Sequence, residues 1–154
     1  MSFEGQNNWV ERQAFRDRIL ETEAPKVWSA VRSALEDACK SYNEYYGHDP
    51  NTQEVTCHLE NGSRVVVVRN RAINTDGGII LRNEEVVISF EKATTEIKVA
   101  RKDNAETFTI SSNETSAFVE HGEKMIDADE ISRLILWPLL FPADEKKRPI
   151  FRKV

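Results

Sequence analysis

Cys57-His58 is the first pair in the chain with the look of chemistry, a thiol next to a base. It falls inside a β-type run, where successive side chains point to opposite faces, so the imidazole cannot reach the sulfur. The pair predicts a core cysteine and a surface histidine. His58 and His121 offer two nitrogens to a metal, but spacing places no third ligand, so no metal site is expected. Asp127, Asp129 and Glu130 resemble a carboxylate cluster for acid-base work. They also stand where the first turn of a helix favours acids, through capping and the helix dipole, and that is the reading adopted.

Three further sets reduce to structure in the same way. His48-Asp49 precedes a proline and reads as turn chemistry. Asp76-Gly77-Gly78 has the small residues of a phosphate-cradling turn, but no helix follows to supply an N-terminus. Arg69 and Arg71 are expected on the outer face of a strand, where Lys98 would complete a shallow anion site. Glu54, Glu91 and Glu96 stand ready to neutralise it as surface ion pairs. The chain holds no GxxxxGK, GxGxxG after a strand, HExxH, CxxC or GxSxG. No catalytic residue and no cofactor are therefore assigned, and the balance leans away from an enzyme.

The elements that would position these side chains are legible. From Pro25 to Tyr46 an apolar stripe recurs at helical spacing through Val27, Val31, Ala34, Leu35, Ala38, Tyr42 and Tyr45, with Trp28, Cys39 and Tyr46 along its edge. Such a helix would be roughly 33 Å long, enough to cross a sheet. Trp9 to Leu20 predicts a shorter, poorer helix within residues 1–24, with Pro25 separating the two or kinking a single helix. Asn61-Gly62 between two β-type runs predicts a tight hairpin. With a two-residue loop, Val55, Cys57, Leu59, Val66 and Val68 would share the core face. Val65 and Val67 would then be apolar on the wet face, and Glu54 would sit against Arg69.

Short alternating runs follow as far as His121, including Ile79 to Arg82 and Glu85 to Glu91 as separate strands. Connections this short predict antiparallel neighbours. Residues 53–121 are thus expected to form an antiparallel meander of about six or seven strands. Residues 127–141 are expected to form a C-terminal helix that begins at Asp127 and is ended or kinked by Pro138, with 142–154 a charged tail. The fold class is α+β in one domain. If the sheet curls, seven strands and a closing helix would be similar in layout to a pleckstrin-homology-like barrel, although no residue motif carries that likeness.

Composition narrows the partners. The chain has 154 residues, 40% hydrophobic and 31% charged, with a net charge of −5. This argues against nucleic acid or an anionic membrane as partner, both of which favour clustered cations. No apolar run approaches a membrane span and no charged-then-apolar leader opens the sequence, so a cytoplasmic protein is expected, with Cys39 and Cys57 as buried, reduced thiols.

Two apolar groups remain unexplained by solubility. Leu136, Trp137, Leu140 and Phe141 either complete the core or form a contact surface for a protein partner or a second copy. Trp28, Tyr42, Tyr45 and Tyr46 either pack ordinarily or line a small-molecule pocket between sheet and helix. The sequence favours a non-enzymatic partner-binding module, an adaptor or small acidic chaperone that self-associates. A small-molecule-binding domain is the alternative.

Overall fold

The computed structural model describes residues 8–47 and 54–142 of the chain. The His48-Asp49 turn and the charged tail from Ala143 onward lie outside the described residues. The architecture is α+β. A helix, α1 (Trp9–Tyr46), precedes seven strands: β1 (Val55–Glu60), β2 (Arg64–Thr75), β3 (Gly78–Glu91), β4 (Glu96–Ala100), β5 (Ala105–Ser112), β6 (Ala117–His121) and β7 (Lys124–Ile126). A second helix, α2 (Ala128–Leu140), closes the described chain. The strands pair antiparallel in sequence order, with β1 and β7 as the edges of an open sheet, so among the described residues no barrel closes. Among them, too, no helix is long and apolar enough to cross a membrane.

The N-terminal region differs from expectation in one respect. α1 is a single helix of 38 residues with Pro25 inside it, not two helices divided there. A proline removes one hydrogen bond and crowds one carbonyl. Burial of Ala24 and Trp28 on either side of it holds the helix together across that defect. At 1.5 Å per residue α1 is about 57 Å long, whereas seven strands about 4.8 Å apart make a sheet only some 29 Å wide. The excess overhangs at the N-terminal end, where Trp9 and Val10 are exposed. An Asn8–Glu11 capping box satisfies its first turn.

The hairpin differs in register. The loop has three residues, Asn61-Gly62-Ser63, with Asn61 at φ 44° and Gly62 at φ 79°, both left-handed. Glu60 therefore opposes Arg64, Cys57 opposes Val67, and Val55 opposes Arg69. A slip of one residue moves every side chain of the second strand to the other face. Val65 and Val67 are buried in the core, while Val66 and Val68 are half-buried outside. Arg69 and Arg71 lie on the inner face, not the outer one, and Arg71 pairs with Glu84 at 2.8 Å. α1 accounts for the loop: Trp28 Nε1 and Arg32 Nη1 both donate to the Gly62 carbonyl, at 2.7 and 2.9 Å.

α2 fills nearly the expected span, and Pro138 does not end it. It continues through Pro138 to Leu140, and Trp137 is helical. Proline at 138 leaves the Leu134 carbonyl without its helical donor. Arg101, in the turn just past β4, supplies a replacement, donating to Leu134 O at 3.4 Å and to Ile135 O at 2.7 Å. At the helix end, the fully buried Arg69 donates to Leu139 O at 2.8 Å and Leu140 O at 3.4 Å. The last turn of α2 carries no basic residue of its own. Arg69 of β2 and Arg101 beside β4 thus neutralise its carbonyl end, where the helix dipole is negative.

Arg69→Ala is expected to destabilise the fold by roughly 3 kcal/mol or more in urea unfolding, because the orphaned carbonyls remain buried. Arg69→Met, which keeps the packed stem without the donors, should lose nearly as much. Near-wild-type stability of the methionine variant would show that the stem, not the hydrogen bonding, matters.

Candidate functional site

Two surfaces stand out, and both depend on how the elements above are held. The first is a groove between the C-terminal half of α1 and the exposed side of α2. Ala38, Tyr42, Tyr45 and Tyr46 recur at helical spacing on α1, and Asp129, Ser132, Arg133, Leu136, Trp137 and Leu140 do so on α2. Phe141, just past α2, closes one end. The groove has a volume of about 340 Å³, within the range of roughly 300–1,000 Å³ typical of ligand sites.

Its walls form an aromatic cluster. Tyr42 and Tyr46 lie 5.0 Å apart between ring centroids, Phe141 meets both edge-on at 5.7 and 5.4 Å, and Trp137 lies 4.7 Å from Phe141. Beneath the floor the Arg69 guanidinium sits over the Tyr42 ring at 5.6 Å. Tyr42, Leu136 and Leu140 are buried, whereas Tyr45 and Trp137 stand 67% and 52% exposed at the mouth.

One end of the groove is polar. Arg133 is held by Glu130 at 2.6 Å, and hydrogen bonding from Arg133 keeps the exposed Glu130 carboxyl below the usual carboxylate range. The Ser132 hydroxyl is used by the Asp129 carbonyl. Aromatic and aliphatic side chains make up most of the lining, a composition suited to apolar recognition.

The groove joins residues that sequence spacing kept in two separate groups. Tyr42, Tyr45 and Tyr46 meet Leu136, Trp137, Leu140 and Phe141 in one place. Trp28 does not join them: it stacks on Phe90 at 5.8 Å and holds the hairpin loop. Asp129, Ser132 and Arg133 went unnoticed as lining because their helical spacing carries no information on which helix they face.

The second surface is an arm. β1 pairs with β2 only through Arg69, and β4 pairs with β3 only from Val87 onward. Among the described residues, Asn70–Thr75 and Gly78–Asn83 thus pair only with each other, as a two-stranded ribbon turning at Asp76-Gly77. The two separate strands expected here are one 14-residue strand. Ile79, Ile80 and Leu81 stand 69%, 52% and 76% exposed on it. The signal was present in the sequence as three consecutive apolar residues without alternation, followed by Arg82-Asn83-Glu84-Glu85.

The remaining candidates are dispersed. His58 is exposed on the edge strand β1, and His121 lies on β6 with its ring 5.4 Å from Phe108. Among the described residues no three His, Cys, Asp or Glu side chains group to hold a metal. Asp127 caps α2, accepting from the Glu130 amide at 2.8 Å. Lys98 lies on the outer face, far in register from Arg69, and approaches Glu91 at 3.9 Å. Comparison of the chain with protein-family models, with curated proteins and with solved structures gives no match.

Trp137→Ala and Tyr45→Ala are each expected to cost less than about 1 kcal/mol, since both side chains are largely solvated. Leu136→Ala should cost about 2–5 kcal/mol through a core cavity. Chemical denaturation distinguishes the mouth of the groove from its floor.

Proposed function

We propose that this protein is a non-enzymatic protein-binding module that works as a homo-oligomer, assembled through the β2–β3 arm. The observation that carries this reading is the arm itself. A two-stranded ribbon is marginal in water, and its open edges are templates for another strand. Here those edges adjoin three exposed apolar side chains, a combination that favours a covered state.

A second copy of the chain is the occupant that best fits. An antiparallel strand edge is self-complementary about a two-fold axis. Pairing two β3 edges about Ile80 would set Ile79 of one copy against Leu81 of the other, on the same face of a continuous sheet. The groove then remains open on each copy for an apolar partner segment.

Light scattering and sedimentation of the full chain should give a mass above that of the monomer, and Ile79→Lys with Leu81→Lys should return it to monomer with an unchanged circular dichroism spectrum. A wild-type protein that stays monomeric at all concentrations would refute the assembly.

A second reading, a small apolar ligand in the groove, is favoured by the size of the groove and its aromatic walls. A naphthalene-sulfonate dye should bind the wild type, with Trp137→Ala weakening it by about tenfold, the loss of some 1.4 kcal/mol of contact. Equal affinity for both proteins would remove the groove as the site.

A further inference from the structure

We infer that Cys39 and Cys57 are a reversible dithiol/disulfide site, oxidised by hydroperoxides through Cys57 and closed by Cys39. The two thiols belong to different elements, α1 and β1, and the fold packs both against the same core cluster. A second feature places them together independently. Asn43 of α1 binds Val55 of β1 in both directions, its amide donating to Val55 O at 2.9 Å and its carbonyl accepting from Val55 N at 2.8 Å. Cys39 lies one helical turn before Asn43, about 6 Å along the helix. Cys57 lies two residues after Val55, about 6.6 Å along the strand and on the same face. Trp28 and Arg32 of α1 hold Gly62 beyond β1, so helix and strand run alongside each other from the clamp, and Cys39 and Cys57 lie at matching distances between the two anchors, as a bridge requires.

The two sulfurs are not equivalent. Cys39 is 3% exposed, whereas Cys57 is half-buried. The neighbouring thiols shift each other in opposite directions, Cys57 downward and Cys39 upward, and burial raises Cys39 further. The more accessible sulfur is the one a peroxide meets first, which makes Cys57 the attacking thiol and Cys39 the resolving one.

The Cys57 thiolate attacks one peroxide oxygen and the O–O bond breaks. Cys57 becomes a sulfenic acid, and the departing oxygen leaves as water once it takes up the thiol proton. The Cys39 sulfur then attacks the Cys57 sulfur; the S–S bond forms, the S–O bond breaks, and the hydroxyl leaves as a second water with the Cys39 proton. Two thiols lose two electrons and two protons, and one hydroperoxide is reduced.

The test is intact mass spectrometry of the full-length protein after stoichiometric hydrogen peroxide, with no reductant present. The expected product has lost two hydrogens, resists alkylation at both cysteines, yields a Cys39–Cys57 linked peptide and reverts with dithiothreitol. Because the bridge ties the α1–β1 connection into a ring, the melting temperature should rise by roughly 5–10 °C on oxidation. In Cys39→Ser the reaction should stop at a Cys57 sulfenic acid that dimedone traps; in Cys57→Ser no adduct should form on Cys39. Both thiols remaining alkylatable after peroxide, added oxygen without a link in the wild type, or a bridge between two chains would each overturn the assignment. The wild-type mass alone decides, so a variant that fails to fold does not leave the question open.

Discussion

The guanidinium of Arg69 beneath the carbonyl end of α2 is the contact on which the rest of the structure depends. A fully buried cation requires hydrogen-bond acceptors, and the last turn of a helix requires donors. Arg69 and the Leu139 and Leu140 carbonyls satisfy each other. Arg101 does the same a turn earlier, at the carbonyl that Pro138 leaves without a donor. These two side chains fix where α2 lies on the sheet, and with it the position of Leu136, Trp137 and Leu140 against α1. The aromatic groove is the space left between two helices whose positions are set from below.

That arrangement follows from one residue of loop length. With Asn61-Gly62-Ser63 as the turn, Arg69 and Arg71 point inward. With a two-residue turn they would point outward and α2 would meet Val68 instead. The three-residue turn prevails because Val65 and Val67 then join Val86, Ile88, Ile97 and Val99 in the core. Trp28 and Arg32 converge on the Gly62 carbonyl to hold it. The buried arginine comes with the register, and α2 is what satisfies it.

The two open surfaces lie where the sheet offers nothing to pack against. β2 and β3 outlast their neighbours, so the arm leaves the sheet with apolar side chains still along it. The groove has its floor at the buried Tyr42, Leu136 and Leu140 and its mouth at the exposed Tyr45 and Trp137. In both places the exposed apolar atoms are concentrated rather than scattered, the pattern of contact surfaces. The paired thiols of Cys39 and Cys57 are a third case of proximity made by the fold, since they share no element and no sequence motif.

The elements of this protein were legible in its sequence wherever periodicity speaks for itself. The α1 stripe around Val31, Leu35 and Tyr42, the inward faces of Val86, Ile88, Ile97, Val99, Phe108 and Ile110, the antiparallel order imposed by short connections, and the Asp127 cap are all local patterns that residue spacing determines. Tertiary structure decided the rest. It decided that Pro25 and Pro138 are carried inside helices, because packing and borrowed donors outweigh a local defect. It also decided which face of β2 is buried, because a one-residue register is settled by the whole core rather than by the turn residues. The convergence of Tyr42, Tyr45 and Tyr46 with Trp137 and Phe141 has the same origin: spacing along a helix says which side chains are neighbours on it, and only packing says what they face.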